Sequence, residues 1–404
     1  MKKGFVGRIV LMGVLASLVA ICLATGAMAA GQISAGPLKL RGELIADWVH
    51  RSNIYLSENN TVSDNIYEIK PALALRHDLS PTSFYSLSYQ GIFATYADNS
   101  ENNWNSHTGV FDSNFGGAQG PYVALRDVYI NTEDPFGSPE LYRQGEKTKR
   151  QINIFRVAPG YRFGELARAE VFYENLFTKY DLDRDKTQNQ NENRYGATYY
   201  HKVMAKTSVL AQYRYVTRKY PDQVANFAED FKRNDFYVGL AWDATSKLNG
   251  ELKVGYSSQD YDNTFNPQGN EFQKKDDFAA EANLTYQASP NLLLLLAGER
   301  AIKESTFINS NYYIDTNVTL GAKYQIVTNL QLFASGTLGK NKYNNLASTT
   351  ARDDDVFKAE IGAEYSFLRY FFVHGGYRLD KKNSNLTNMS YTDDIFFAGV
   401  GGRF

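Results

Sequence analysis

Cysteine is almost missing from this chain. Among 404 residues there is one, Cys22, and it lies inside an apolar leading segment. A small exported scaffold lacking a core would be stapled by disulfides, so that class is excluded. A dominant charge is missing too: 43 Lys and Arg face 44 Asp and Glu, for a net charge of −1. That balance points to no nucleic-acid partner. Proline is sparse, at 10 residues, and after residue 30 no apolar run approaches the length of a membrane helix. Chemistry-bearing motifs are missing as well. There is no Gly-x-Ser-x-Gly elbow and no His-Glu-x-x-His pair. The five histidines, His50, His77, His107, His201 and His374, are far apart and show no metal-ligand spacing. Neither catalysis nor a cofactor nor a metal is therefore expected. A rim hydrolase would have to be assembled from neighbours such as His50 and Asp47, or His107 and Ser106, which arise by chance in a chain of this composition.

The leading segment reads as an export signal. Lys2, Lys3 and Arg8 precede the apolar run Ile9–Leu23, and Ala27-Met28-Ala29 forms a small-x-small cleavage site. The apolar run is shorter than the ~20 residues of a spanning anchor. Ile21 before Cys22 disfavours a lipid anchor. The expected organisation is a cleaved signal over 1–29 and a single domain over 30–404.

What the chain has in abundance is aromatic residues, 14% of the total with Tyr 29 and Phe 25, and alternation. Ile314, Thr316, Val318, Leu320, Ala322 and Tyr324 fall on one face, and Asp315, Asn317, Thr319, Gly321 and Lys323 on the other. At 357–365, Phe357, Ala359, Ile361, Ala363 and Tyr365 oppose Lys358, Glu360, Gly362 and Glu364. Period 2 means strands with one apolar and one polar face. Eighteen such segments are predicted: 38–50, 65–78, 82–97, 105–115, 121–131, 148–162, 165–178, 193–204, 206–218, 233–243, 247–259, 276–288, 291–303, 312–326, 329–342, 355–366, 369–380 and 391–404. The alternation slips near Arg126-Asp127, which predicts a bulge there.

The connections alternate in length. Leu79 to Pro81, Gly116 to Gly120, Ala244 to Ser246, Ser289-Pro290, Val327-Thr328 and Phe367-Leu368 mark tight turns. Ser52–Asp64, Thr132–Lys147, Lys179–Glu192, Lys219–Lys232, Asp260–Lys275 and Lys381–Ser390 are long polar stretches. This is the layout of an all-β, closed antiparallel transmembrane β-barrel of about 18 strands, with short periplasmic turns and long extracellular loops. Trp242, Tyr286, Tyr324, Tyr365 and Phe404 then gather at the periplasmic interface as an aromatic girdle in contact with outer-membrane lipid. A soluble sandwich or β-helix has no use for aromatics at one end of alternate strands. In water, eighteen strands exposing their apolar faces would aggregate.

In a barrel the charged face points into the lumen. The expected lining is Lys39, Arg41, Glu43, Glu68, Lys70, Arg76, Arg214, Glu251, Lys253, Glu281, Asp315, Lys323, Lys358, Glu360, Glu364 and Arg378. Eighteen strands leave room for an aqueous channel, and mixed signs imply little ion selectivity. The competing expectation is a lumen closed by cross-lumen ion pairs or by an infolded loop, for which Thr132–Lys147 with Pro135, Gly137 and Pro139 is the candidate. Asp181, Asp183 and Asp185 alternate like part of a calcium loop, but its glycine and closing Glu are missing. They and Asp353-Asp354-Asp355 read as solvated loop residues.

The last segment ends Phe397-Ala398-Gly399-Val400-Gly401-Gly402-Arg403-Phe404. Gly399 and Phe404 match the assembly signal that outer-membrane barrels present to their insertion machinery, while Gly402 departs from it. Within the first 180 residues, Ser52-Asn53-Ile54-Tyr55-Leu56-Ser57, Ser63-Asp64, Pro71-Ala72-Leu73-Ala74-Leu75, Tyr96-Ala97-Asp98-Asn99-Ser100 and Leu125-Arg126-Asp127-Val128-Tyr129 with Asp134-Pro135 resemble the outer-membrane β-barrel porin type 2 family. That resemblance implies an outer-membrane location and links to exopolysaccharide synthesis and export. It carries no catalytic residues. The expected function is passage of hydrophilic solutes or an exported polysaccharide. The alternatives are a closed barrel whose loops bind or anchor a partner and, less favoured, an outer-membrane hydrolase.

Overall fold

A computed structural model describes residues 32–137, 147–243, 247–266, 269–305, 310–346 and 350–404. The leading segment, the middle of Thr132–Lys147 and the turn Ala244 to Ser246 lie outside them. The regular structure of the described chain is mostly strand: β1 Ile33–Ala35, β2 Leu38–Arg51, β3 Asp64–Asp78, β4 Phe84–Tyr96, β5 Trp104–Gly116, β6 Gly120–Thr132, β7 Arg150–Phe163, β8 Ala167–Tyr180, β9 Gln190–Met204, β10 Thr207–Lys219, β11 Phe231–Trp242, β12 Leu248–Tyr261, β13 Lys275–Ser289, β14 Leu292–Glu304, β15 Tyr312–Val327, β16 Leu330–Tyr343, β17 Asp353–Ser366, β18 Phe371–Ser384 and β19 Tyr391–Arg403. From β2 to β19 each strand pairs antiparallel with the next. β19 pairs back onto β2, from Ile395↔Arg51 to Arg403↔Glu43. The eighteen long strands form a closed barrel, so no sheet edge remains along the wall.

The extra strand β1 was not foreseen. Gly36, in the left-handed region at φ 61°, reverses the chain so that Ala35 meets Leu38 and Ile33 meets Leu40. β1 occupies the edge of β2 just beyond the point where Phe404 and Gly42 exchange backbone hydrogen bonds at 3.1 and 3.0 Å. It continues the line of β19 and covers the edge that β19 leaves.

Two other expectations are corrected. β6 keeps unbroken register with both neighbours through Arg126 and Asp127, so there is no bulge. The alternation slips there because Asp127 stands on the outer face, where the Asn153 amide donates to it at 2.7 Å. The register shifts among the described residues sit instead at short turns, between β9 and β10, β13 and β14, and β15 and β16. Asp354 is not a solvated loop residue. It opens β17 fully buried, and Arg352 donates to it at 3.0 Å. Asp185 is likewise buried, paired with Arg184 at 3.4 Å.

The outward face is apolar. Leu44, Trp48, Tyr67, Leu73, Val171, Tyr199, Val238, Leu320, Ile361 and Phe396 all stand exposed on it. The wall departs from a simple cylinder in one place. β13 pairs with β14 no higher than Ala280↔Arg300, although β14 runs on to Glu304 in register with β15. Above that point Ile302 and Ile314 are buried together with Tyr312 against Tyr261, from the inner face of β12. The Ile302 carbonyl accepts from Arg233 Nη1 of β11 at 3.3 Å. The tip of the β14–β15 hairpin therefore tilts into the barrel mouth, and its outer face packs on the inner face of its neighbours.

Candidate functional site

The interior of the barrel is organised in three levels. At the outer end, the first long loop folds inward. Ile54 is fully buried in a cluster with Val49, Ile66, Ala94, Tyr96, Trp104 and Ile395. Asn53 ties the loop down. Its backbone N–H donates to Asp393 Oδ1 at 3.0 Å, its amide to the carbonyls of Ser57 at 2.7 Å and Thr392 at 3.1 Å, and its Oδ1 accepts from the Ser57 N–H at 3.0 Å. Arg51 bonds Asp393 through Nε at 2.7 Å and lies 3.3 Å over the Phe136 ring. Asp64 gathers the next loop by accepting from the backbone and side chain of Asn99 at 2.9 and 2.8 Å. The sequence motifs around Ser52–Ser57, Asp64, Asn99 and Asp134 thus converge on one folded cap. Burial, partly offset by the positive charge of Arg150, pushes the Asp134 carboxyl up from its ordinary pKa. On the opposite side of the mouth, Tyr261 stacks on Phe272 at 5.0 Å beside Phe231. Burial there, together with the charge of Glu304, pushes the Glu229 carboxyl up to about 7.

Below the cap, the inner face of β7 to β13 carries a lattice of alternating charges that climbs from Glu170 near the short turn to Glu192, Arg218 and Arg233 at the outer strand ends. Arg156 meets Glu170 at 3.0 Å and Glu174 at 3.7 Å, and Arg194 meets Glu174 at 2.6 Å. Glu192 takes both Arg194 and Arg218, the latter through Nε at 2.7 Å. Asp235 takes Arg214 at 2.8 Å and Arg233 at 3.1 Å and accepts from the Ser257 hydroxyl at 2.7 Å. Arg214 also approaches Glu281 at 3.4 Å, which is shared with Lys253. Lys253 in turn donates to Gln212 at 2.9 Å. Glu192 and Asp235 have no accessible surface at all. Buried charges of this kind persist only when paired and bonded, and each of these is.

Of the expected interior charges, Arg214, Lys253 and Glu281 belong to this lattice. Glu251 accepts from the Tyr200 hydroxyl at 3.2 Å. Lys70 bridges Asp47 and Glu68 at 2.7 and 2.6 Å, and Asp47 also holds His374 Nε2 at 2.7 Å. Asp315 meets Lys303 at 2.5 Å, Lys358 meets Asp380 at 3.5 Å, and Arg378 meets the same Asp380 at 3.5 Å. Glu360 stands opposite Arg378 in register, and Lys323 opposite Phe333. Arg76 and Lys39 share Asp78, Arg41 donates to Gln32 at 3.1 Å, and Arg403 joins Glu364 to Glu43. The lattice residues missed by sequence reading are Arg156, Glu170, Glu174, Glu192, Arg194, Arg218, Arg233 and Asp235. The alternation of β9, with Glu192, Arg194, Gly196 and Thr198 on one face, was signal enough to find two of them.

At the short-turn end Tyr286, Tyr324, Tyr365 and Phe404 are exposed on the outer face, and Trp242 is half-buried beside them. Gly399 lies under the Asp47–His374 contact, where any β-carbon would collide with both groups. Gly42 lies under the Phe404 ring in the same way. The histidine neighbours considered for catalysis are separated by the wall. His50 and His107 are on the outer face, bonded to Asn65 at 3.1 Å and Tyr89 at 2.9 Å, whereas Asp47 and Ser106 occupy inner-face positions.

A family model described as "Putative beta-barrel porin 2" matches residues 28–404. No curated protein matches the chain. Among solved structures, the outer membrane protein opdK from Pseudomonas aeruginosa is similar at 12% identity and TM-score 0.46, covering 93% of this chain and 100% of that one. A BenF-like porin from Pseudomonas fluorescens Pf-5 is similar at 8% identity and TM-score 0.46, covering 90% and 97%. The siderophore receptor PirA from Pseudomonas aeruginosa is similar at 7% identity and TM-score 0.41, covering 90% and 80%.

Proposed function

The chain belongs to the β-barrel porin 2 family, and from that premise we propose that it gives hydrophilic solutes or an exported polysaccharide passage across the outer membrane. One observation carries the reading. The outer face is apolar while the inner face carries paired charges of both signs from the outer cap to the short-turn end. A wall of that kind suits a hydrated path inside a lipid-facing shell. The expected lumen charges that stay accessible, such as Arg41, Glu364 and Arg378, are the solute contacts in this reading, whereas Lys253 and Glu281 are buried against each other. Residues 1–29 are removed on export, Gly399 and Phe404 present the last strand to the insertion machinery, and Trp242, Tyr286, Tyr324, Tyr365 and Phe404 seat the barrel in lipid. The test is single-channel conductance of the purified protein in a planar bilayer. Steady openings that scale with salt are expected. Neutralising Glu360 and Glu364 should move the reversal potential toward anions, and neutralising Lys323 and Lys358 toward cations.

The outer cap favours a second reading. Asn53 and Ile54 fill part of the mouth with no accessible surface, which suits a closed barrel that displays its loops to a partner. A silent bilayer, with folding verified by heat-modifiable gel mobility, would decide for it. Truncating the loops would then abolish partner binding, whereas a pore would survive the truncation.

A further inference from the structure

Two phenylalanines share one level of the inner wall, with two glycines between them. In register order across β16 to β19 the row reads Phe333, Gly362, Gly376, Phe397. Each ring leans over the glycine beside it. A β-carbon on Gly362 would collide with Phe333, and one on Gly376 with Phe397. Because that floor is empty of side chains, the rings converge to a centroid distance of 6.4 Å and an angle of 18° between their planes. Both are half-buried. They form an apolar platform of nearly parallel rings on a face where the adjoining rows are polar.

Those rows carry hydrogen-bonding groups. Two residues outward stand Ser335, Glu360 and Arg378, and two residues toward the short turns stand Gln331, Glu364 and His374. Several keep capacity to spare. Among the described residues Glu360 makes no ion pair and no hydrogen bond, and the Ser335 hydroxyl makes no hydrogen bond. Arg378 stands 3.5 Å from Asp380 through Nε, and its two terminal nitrogens are not hydrogen-bonded among the described residues. His374 meets Asp47 through Nε2 at 2.7 Å and keeps its second ring nitrogen. The folded cap ends just above, where Phe397 packs on the cluster that contains Ile54 and Ile395. The platform is thus the first surface below the cap. Aromatic faces with a few polar groups converging on them are the makings of a ligand site.

We infer that Phe333 and Phe397 form a saccharide-binding platform inside the barrel, on which a neutral sugar chain lays its pyranose rings. The negative face of an aromatic ring attracts the weakly positive C–H groups that line one side of a pyranose. The hydroxyls around the edge of the sugar then meet Glu360 and Ser335 on one side and His374 on the other. An ionised carboxylate only accepts hydrogen bonds, and a hydroxyl can always donate one. A small ion has no use for the rings, and an apolar solute has none for Glu360. The inference rests on the passage reading and names its substrate class, but the binding is measured without any current.

Isothermal titration of the folded barrel in lauryldimethylamine oxide, a detergent without sugar, decides it. Cellotetraose should bind, with an affinity little changed by salt. Sorbitol, which carries hydroxyls but no ring face, should bind at least about tenfold more weakly. F333L/F397L keeps an apolar cover over the glycines and removes the flat faces, so it should weaken cellotetraose about tenfold or more. F333Y/F397Y keeps the faces and should hold the affinity within about threefold. Unchanged binding in the leucine variant, an equal loss in the tyrosine variant, or sorbitol binding as tightly as cellotetraose overturns the inference. The comparison of the two ligands on the unaltered barrel stands even where a variant fails to fold. A barrel that conducts but ignores cellotetraose ends this inference and leaves passage standing. A silent barrel that binds it does the reverse.

Discussion

The inner wall from β8 to β13 and the inner wall from β16 to β19 solve the same problem differently. On the first, charged side chains fill the space, and Glu192 and Asp235 are sealed from solvent with two cations each. On the second, rings lie over glycines. Phe372 covers Gly401, Phe397 covers Gly376 and Phe333 covers Gly362, while the Phe333 and Phe397 rings stack at 6.4 Å. Charges there, such as Lys358 with Asp380 at 3.5 Å, remain partly hydrated. The first wall is held by matching signs and the second by matching shapes. They should therefore break under different substitutions.

The largest effect is expected from Glu192→Gln, which takes the carboxylate from buried Arg218 and leaves Arg194 with Glu174 alone. Loss of a buried partner costs about 3–5 kcal/mol, so the urea midpoint of the barrel in lipid vesicles should fall steeply. Gly401→Leu comes next, because its side chain must displace the Phe372 ring. Overpacking costs about 1–3 kcal/mol. Gly402→Ala beside it should be nearly silent, since a β-carbon there meets Phe371 at an ordinary 3.5 Å. A charged wall that tolerated Glu192→Gln, or a glycine wall indifferent to Gly401→Leu, would dissolve the contrast.

A smaller effect belongs to the loop above the charged wall. The Glu229 carboxyl, raised to about 7 by burial and by Glu304, ionises later in the folded loop than in the free chain. The folded loop then holds a proton that the unfolded one has released. Its stability should fall as pH rises from the usual carboxylate range to about 7 and level off above. Limited proteolysis across 220–230 should speed up over that window, and Glu229→Gln should flatten the profile. The smallest effect is expected from Lys358→Gln: a partly exposed pair is worth ~1 kcal/mol or less, below the scatter of most unfolding curves.

Strand number and facing were readable in the sequence because period 2 repeats over every wall segment. All eighteen expected segments overlap a long strand, most of them to within two residues at each end. β18 runs four residues further than expected, to Ser384, because Asn385 and Asp353 pair above it. What alternation does not encode is what lies across the lumen. Nothing local says that Arg214 of β10 reaches Glu281 of β13, or that Ile302 turns inward to bury against Tyr261. The outer-cap motifs were visible as a resemblance before any physical role could be given to them. Asn53 has its role only once Asp393 and Thr392, at the far end of the chain, are beside it.

The seam between β2 and β19 sets an order of events. Arg403 meets Glu43, so the contact that closes the wall joins segments from opposite ends of the sequence. Contacts so distant form late, since the loop they close is nearly the whole chain. Until then β2 and β19 both present open edges, and for that interval the barrel is a curved sheet able to recruit any passing strand. β1 already shields a short stretch of one edge through its hairpin, a local contact that can form within microseconds. Its three residues therefore matter most before the barrel exists, and removing them should show first as slower, leakier assembly and only afterwards as lost stability.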